Sequence, residues 1–205
     1  EVDYRDLIGA QRLFSRIILD TGYGEVLDVL GGLDADQTHD DVLRMYELKT
    51  ARYSFEGPLL LGAILAGASP EQRRGLSAYG IPLGIAFQLR DDILGIFGTE
   101  EEVGKPIGSD LKEGKRTPLV LHALKYGGED QRRVTRAALG NRALTADEVE
   151  QVAGALRMTG ALDAVDSLAA RYTAEARRAL TEAPLQPVSL AFLDALAVSL
   201  SGRRT

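Results

Sequence analysis

Apolar side chains recur along the chain at helical spacing, and no stretch shows the strict alternation of a half-buried strand. This spacing predicts a first helix over residues 4–29 and a second from Thr38 to about Phe55. A third helix is predicted from Pro70 to Phe97, and its nearly unbroken apolar character is typical of a helix buried in the middle of a bundle. Pro82 and Gly84 are expected to kink or interrupt this third helix.

The predicted helix starts carry capping signals. In three places a Ser or Thr is followed three residues later by an acid or an amide, which is the spacing of a capping box: Thr38 and Asp41, Ser69 and Gln72, and Thr145 and Glu148. The segment from Thr99 to Thr117 is polar and rich in glycine, which predicts a loop. Later helices are predicted over residues 118–124, 129–139, 145–158, 161–183 and 187–200. The chain is therefore predicted to be all-α, with residues 1–205 forming a single domain.

Composition excludes several kinds of chemistry. The chain has no cysteine, which removes disulfides, thiolate metal ligands and thiol nucleophiles, and which suits a cytoplasmic protein. A formal net charge of −6 argues against a nucleic-acid partner, because phosphate backbones are usually met by a basic surface. The most apolar stretch, Gly57 to Ala68, is too short to cross a bilayer, so no membrane span is expected.

Two adjacent aspartates, Asp91 and Asp92, lie near the end of the third predicted helix. Burying ionised carboxylates is costly unless they are paired or bound to a metal. Gln88 precedes them by three and four positions, which places its amide on the same helical face. Taken alone, the pair is better explained by ion pairs with Arg90 and other arginines at an exposed helix end.

The loop after these aspartates changes that balance. Of the five lysines in the chain, three lie within it: Lys105, Lys112 and Lys115. Their ammonium groups, together with glycines that permit close backbone approach, suit the oxygens of a phosphate. A phosphate at roughly 4 Å from Asp91 would meet a repulsion of about 4 kcal/mol per like-charge contact unless a divalent cation lay between them. Because Mg²⁺ prefers carboxylate and phosphate oxygens, the residues themselves suggest a magnesium–diphosphate site.

Lys49 and Thr50 fall inside the second predicted helix. A threonine within a helix can bond to the carbonyl four residues earlier and bend the helix. By itself, however, this dipeptide is more simply an exposed lysine beside a surface threonine.

Together these segments resemble the trans-isoprenyl diphosphate synthases, or polyprenyl synthetases, which make geranyl, farnesyl, geranylgeranyl and longer diphosphates. The resemblance is carried by four phrases: Gly24-Glu25-x-x-Asp28; Lys49-Thr50 followed by Pro58-Leu-Leu-Leu-Gly62-Ala63; Phe87-Gln88-x-x-Asp91-Asp92-Ile-Leu; and Gly104-Lys105-x-x-Gly108-x-Asp110-Leu-x-x-Gly114-Lys115-x-Thr117. The last two look like the family's second aspartate-rich motif and the loop that follows it. The resemblance covers essentially the whole chain.

This resemblance implies a fold and a reaction. The fold would be the all-α helical bundle of the isoprenoid synthases. The reaction would condense an allylic diphosphate with isopentenyl diphosphate, using Mg²⁺ as cofactor. In it the allylic diphosphate ionises, the isopentenyl double bond attacks the resulting cation, and a proton is then lost. The family is usually dimeric, so a homodimer is expected.

The resemblance also assigns roles at the diphosphate. Asp91, supported by Asp92, would ligate the Mg²⁺ on the allylic diphosphate. Lys49 and Lys105 would contact that diphosphate, and Lys115 would lie close by. Asp91, Lys49 and Lys105 are therefore expected to face one cavity.

A second group of residues is implied at the allylic cation. Thr50, Gln88 and the carbonyl of Lys49 would face the positive charge that forms when diphosphate leaves. Oxygen dipoles held in fixed positions stabilise such a charge in a pocket that contains little water.

Two features depart from the family pattern. Gly95 stands where the second motif usually carries a further acid, although geranylgeranyl-type relatives also show a glycine there. The first aspartate-rich motif, Asp-Asp-x-x-Asp, does not occur before Lys49, and the pair Asp40-Asp41 has no third aspartate at that spacing. The chain is therefore expected to lack the family's N-terminal helices, half of the metal site and the arginines for isopentenyl diphosphate, and to be inactive alone.

Three interpretations remain open. The chain belongs to a complete prenyltransferase, or it is a short non-catalytic partner that regulates or completes another prenyltransferase, or it uses the fold for terpene cyclisation or another transfer. The intact lysine loop disfavours the third. An Asp-Asp-x-x-Asp upstream in the parent reading frame would distinguish the first two. The motifs do not specify the chain length of a product.

Overall fold

A computed structural model describes residues 3–104 and 106–202 of the chain, so Lys105 lies outside the described residues. Within them every regular element is a helix, which confirms the all-α prediction. The elements are α1 (Tyr4–Leu33), α2 (His39–Tyr46), a π-helix (Glu47–Glu56), α3 (Gly57–Leu65), α4 (Pro70–Phe97), α5 (Glu100–Val103), α6 (Ser109–Lys112), α7 (Pro118–Tyr126), α8 (Glu129–Ala138), α9 (Ala146–Met158), α10 (Ala161–Glu182) and α11 (Pro187–Ser201). None of these helices combines the length and apolar character needed to span a bilayer.

The predicted helix starts have the hydrogen bonds of capping boxes. The N–H of Thr38 donates to the Asp41 carboxylate at 2.9 Å, and the N–H of Asp41 donates to the Thr38 hydroxyl at 3.2 Å. The same reciprocal bonds occur at the starts of α4 and α9. Because each box satisfies backbone N–H groups that the first turn leaves without helical partners, these sequence signals determine where the helices begin.

Helix α4 continues through Pro82 and Gly84, so the predicted interruption is wrong. Gly84 has a different role, since a Cβ atom at this position would lie only 2.4 Å from the Cα of Ala51 in the π-helix. The glycine therefore permits close packing between two helices. Sequence alone could not separate this use of glycine from a helix break.

The segment predicted as a loop, Thr99 to Thr117, contains the two short helices α5 and α6. A capping box between Thr99 and Glu102 starts α5, a local signal that the prediction of a loop did not include. Glycines with left-handed backbone then follow at Gly104, Gly108 and Gly114, with φ of 69°, 78° and 80°. Such angles favour glycine and keep both helices short.

The described chain forms two compact units. The first contains residues 3–26, 44–87 and 170–202, and the second contains residues 27–43 and 88–169. In the first unit, Leu76, Tyr79 and Leu83 of α4 are buried with residues of α3, α10 and α11, and the Tyr79 hydroxyl donates to the carbonyl of Leu193 at 2.7 Å. The prediction of a single domain over residues 1–205 stays a prediction.

The second unit has its own buried apolar residues. Leu89 and Ile93 of α4, Leu111 of α6, Leu119 of α7 and Leu156 of α9 are each 3% exposed or less. Each buried side chain of this size stabilises the folded state by roughly 1.5–3 kcal/mol relative to an exposed one. This core supports the part of α4 that carries the aspartate pair and the loop that follows it.

Candidate active site

Lys49 and Thr50 lie in the π-helix, which belongs to the first unit. At its end the N–H of Gly57 donates to the carbonyl of Arg52, five residues earlier. A π-helix usually occurs as a single turn inserted in an α-helix, frequently at a functional site, and this one is 10 residues long. The prediction of a helix through Lys49 and Thr50 is confirmed, and this helix is a π-helix over all 10 residues from Glu47 to Glu56.

Glycines on neighbouring helices let the π-helix pack at backbone distance. A Cβ atom on Gly24 of α1 would lie 2.6 Å from the Lys49 nitrogen. On α4, a Cβ atom placed on Gly80 would lie 2.9 Å from the Cα of Glu56. A Cβ atom placed on Gly84 would lie 2.4 Å from the Cα of Ala51. A side chain at any of these three positions would therefore push the π-helix away.

The ammonium group of Lys49 has a partner on α1. Its Nζ lies 2.9 Å from the Glu25 carboxylate, with 28% of the lysine side chain exposed. Gly24 and Glu25 therefore act together, since the first admits the Lys49 backbone and the second pairs with its side chain. The motif Gly24-Glu25-x-x-Asp28 alone did not reveal these roles, because both depend on a contact with another helix.

A further ion-pair cluster stabilises the start of the π-helix. Arg52 donates to Glu47, five residues earlier, at 2.7 and 3.0 Å, and to Asp20 of α1 at 3.1 Å. Burial alone would raise the pKa of Glu47, but hydrogen bonds from Arg52 and Arg44 outweigh it and hold the pKa below its usual range. This depressed pKa means that the cluster stabilises the fold at neutral pH and loses that effect as the pH falls through the pKa of the folded Glu47.

Gln88, Asp91 and Asp92 lie on the part of α4 that belongs to the second unit. Asp92 is buried, with 4% of its surface exposed, and Asp91 is partly buried. The Gln88 amide lies 3.4 Å from the Asp92 carboxylate, as their spacing predicts. The intervening arginine, Arg90, pairs with Asp166 of α10.

The lysine-rich loop is fastened to α4 and to itself. The N–H of Gly108 donates to the carbonyl of Gly95 at 2.9 Å. The Lys115 Nζ lies 3.1 Å from the carboxylate of Asp110, which is buried, and 2.8 Å from the exposed carboxylate of Glu113. Burial alone would lower the pKa of Lys115, but these two carboxylates more than offset it and raise the pKa. Lys115 therefore has a structural role in this loop.

Gly95 and Asp110 explain one departure from the family pattern. A Cβ atom on Gly95 would lie 3.2 Å from the Asp110 carboxylate, which is 8% exposed. An acidic side chain at position 95 would start beside a second buried carboxylate, and like charges at such a distance repel strongly. Glycine at position 95 and aspartate at position 110 are therefore compatible as they stand.

The donor set around Asp91 and Asp92 fits a magnesium ion that is held partly by other ligands. Mg²⁺ is commonly bound through one or two carboxylates together with waters and substrate phosphates. Among the described residues, no three His, Cys, Asp or Glu side chains are arranged to hold a metal on their own. Two oxygen-donating carboxylates, one of them buried, thus suit a metal that arrives with a diphosphate.

The structure places the predicted residues as follows. Gln88 and Asp92 are in contact, with Asp91 beside them on α4, and Lys115 lies in the loop that follows. Lys49 and Thr50 belong to the other unit, and Lys105 lies outside the described residues. Their convergence on one cavity stays a prediction.

Comparison with known proteins gives the family. The polyprenyl synthetase family model matches residues 2–156, which is most of the chain. The chain belongs to the polyprenyl synthetase family. It is also 36% identical over 166 residues to the geranylgeranyl diphosphate synthase of Sulfolobus acidocaldarius, covering 81% of this chain and 50% of that protein.

Solved structures of polyprenyl synthetases agree with this assignment. Geranylgeranyl pyrophosphate synthase from Corynebacterium glutamicum, complexed with isoprenyl diphosphate and magnesium, has a TM-score of 0.93 and 31% identity, covering 99% of this chain and 57% of that one. Polyprenyl synthase from Caulobacter crescentus, complexed with calcium and isoprenyl diphosphate, has a TM-score of 0.86 and 32% identity, covering 96% and 60%. The isoprenoid synthase fold is thus confirmed. The chain spans about half the length of the curated relative described above.

Proposed function

We propose that this chain carries the part of a Mg²⁺-dependent trans-prenyltransferase that holds the allylic diphosphate. The whole enzyme would condense that diphosphate with isopentenyl diphosphate, as a geranylgeranyl- or farnesyl-type synthase. The observation that carries the proposal is the aspartate pair on α4, with Asp92 buried beside Gln88 and a lysine-bearing loop bonded to the same helix at Gly95. Family membership and the motifs of this region support the same chemistry.

In this proposal the second unit binds the leaving group. Asp91, with support from Asp92, would hold the Mg²⁺, and Lys105 would place a positive charge on the diphosphate. The bound Mg²⁺ supplies charge neutralisation of the departing diphosphate. Lys115 would act as a positioning residue, since its ion pairs with Asp110 and Glu113 fix the shape of the loop.

The first unit would contribute the other groups. Lys49 would contact the same diphosphate, and its pairing with Glu25 holds the side chain in place until the anion binds. The Thr50 hydroxyl and the Lys49 carbonyl would stabilise the allylic cation by their dipoles, together with the Gln88 amide oxygen. The π-helix is a suitable support for this task, because its backbone is packed closely against Gly24 and Gly84.

The 205-residue chain alone is predicted to bind an allylic diphosphate without extending it. Asp91 and the loop would bind the diphosphate with Mg²⁺, but the chain would not hold the two reactants together. Holding reactants in attack geometry lowers the barrier by at most about 7–11 kcal/mol. Calorimetric titration with farnesyl diphosphate should show at least about tenfold tighter binding with Mg²⁺ than with EDTA, equal to about 1.4 kcal/mol. Incubation with radiolabelled isopentenyl diphosphate should give no product, and robust chain elongation would contradict the prediction.

We further propose a cytoplasmic homodimer that uses α1 in its interface. This helix carries large apolar side chains that are about half exposed or more: Tyr4, Leu7, Phe14, Ile18, Leu19, Tyr23, Val26, Val29, Leu30 and Leu33. A helix of 30 residues is about 45 Å long, and an apolar surface of such extent marks an interaction site. The absence of cysteine suits the cytoplasmic location, and the net charge of −6 argues against nucleic acid as a partner.

Charge on this helix is predicted to dissociate the dimer. Phe14→Glu and Ile18→Glu together should weaken self-association at least tenfold in sedimentation equilibrium, because two carboxylates would be buried without partners. Val188→Glu and Phe192→Glu together on α11 are the control, since they introduce the same two charges at side chains that are 72% and 68% exposed. A parent protein that is monomeric, or a dimer indifferent to both changes on α1, would overturn the proposed interface.

A further inference from the structure

The second unit contains a cavity of about 670 Å³ that the proposed synthase chemistry does not use. It is formed by the chain before α2, the first residues of α2, Arg116 just before α7, and side chains of α7 and α8. Its size is within the range of sites for small molecules, which are roughly 300–1,000 Å³. None of Gln88, Asp91, Asp92 and Lys115 lines it.

Positive charge dominates the walls of this cavity. Arg116, Lys125 and Arg136 line it, against the single carboxylate of Asp40. Within the part of the chain that the structure describes, none of these three cations forms an ion pair with a carboxylate, and the Arg116 Nε is buried without a hydrogen-bond partner. Such a cluster of cations without carboxylate partners is unusual in a chain of net charge −6, where acids outnumber bases. An anion is the ligand that such walls favour.

Both histidines of the chain lie at this cavity or beside it. His39, the first residue of α2, lines the cavity, and His122 of α7 lies close enough to perturb it. Burial lowers the pKa of His39, and the positive charges of His122 and Lys125 lower it further, while Asp40 and a hydrogen bond to the Pro118 backbone oppose these effects. A positive charge on His39 is thus disfavoured before any ligand binds.

We propose that this cavity binds a small molecule through a phosphoryl group, and that it is distinct from the allylic diphosphate site. Arginine presents several N–H donors in a planar fork that matches phosphate oxygens, and two arginines with one lysine suit a group of multiple negative charge. Leu121 and Leu124 add an apolar wall that can contact an organic body. The phosphoryl group is supplied by inorganic diphosphate or by a prenyl diphosphate, which share the same charged head.

The first test is titration of the 205-residue chain with inorganic diphosphate in EDTA, where the magnesium site is silent. Saturable binding is expected, and Arg136→Gln and Lys125→Gln should each weaken it about tenfold, equal to about 1.4 kcal/mol. Arg133→Gln is the matched control, since it removes the same charge from α8 at an exposed arginine that pairs with Asp130. The control should change the affinity less than twofold.

The second test locates the ligand directly by proton NMR. With only two histidines in the chain, the ring protons of His39 and His122 can be followed separately. Bound diphosphate should shift their resonances and raise the apparent pKa of His39, because the anion favours the charged imidazolium. Farnesyl diphosphate identifies the source: equal affinity indicates recognition of the head alone, and tighter binding indicates that the prenyl chain is also held.

Three results would overturn the cavity proposal. They are the absence of saturable binding in EDTA, equal weakening by Arg133→Gln and Arg136→Gln, and binding that leaves both histidine spectra unchanged. Each is independent of synthase activity. The cavity site and the proposed prenyltransferase function can therefore fail separately.

Discussion

Replacing Asp91 with alanine is expected to lower kcat/KM for condensation by about 10²–10³-fold or more in the protein encoded by the full reading frame. Removing this carboxylate takes away a ligand for the metal that neutralises the leaving diphosphate. Asp91→Asn should be almost as inactive, because the amide keeps the shape but not the charge. The measurement is steady-state kinetics with an allylic diphosphate and radiolabelled isopentenyl diphosphate, and melting curves should show both variants folded.

The matched control for Asp91→Ala is Asp163→Ala. Asp163 is an exposed carboxylate on α10 in the same unit, so the change removes the same charge without touching the motif. Its kcat/KM should remain within about twofold of the parent value, a difference below 0.5 kcal/mol. Turnover by Asp91→Ala that matches the control would refute the assignment of Asp91 to the metal.

Gly84→Ala is expected to lower the free energy of unfolding by about 3 kcal/mol or more. The new methyl group would lie 2.4 Å from the Cα and 2.6 Å from the Cβ of Ala51, which is fully buried. Ala51 belongs to the π-helix, whose backbone packs closely against Gly24 and Gly80 as well. The clash with the new methyl group can therefore be relieved only if the π-helix moves as a unit. Denaturant unfolding of the 205-residue chain gives the value.

Gly62→Ala is the control for this change. Gly62 is also helical, in α3, but apart from its chain neighbours and its own helix backbone no atom lies within 4 Å of a Cβ placed there. Alanine should therefore stabilise the chain by up to about 1 kcal/mol through its helix propensity. If both variants gained stability, the close packing of α4 against the π-helix would not be a feature of the protein in solution.

The helices that could be predicted are those whose starts are determined locally. Thr38, Ser69 and Thr145 each find a partner three residues along the chain, so the signal and the bond lie within one turn. The π-helix could not be predicted, since it rests on contacts with Gly24 and Gly84, which are distant in sequence. The same distance hid the role of Gly84, whose effect on packing depends on a residue 33 positions earlier, Ala51.

The candidate site shows the same division. The contact between Gln88 and Asp92 follows from helical periodicity and was predicted. The ion pair between Lys49 and Glu25 was not predicted, because Glu25 lies on another helix. The motif around Glu25 does not indicate which side chain the glutamate contacts. The sequence indicated a lysine near the diphosphate at position 115, whereas its pairing with Asp110 and Glu113 depends on how the loop folds back on itself.

The central claim is that these residues belong to a Mg²⁺-dependent prenyltransferase. The most direct measurement is the condensation assay itself, on the protein encoded by the full reading frame, with an allylic diphosphate and radiolabelled isopentenyl diphosphate. The account predicts a labelled, elongated prenyl diphosphate that forms with Mg²⁺ and disappears with EDTA. A folded protein that forms no such product at saturating substrates and Mg²⁺ would contradict the account and favour a non-catalytic partner subunit.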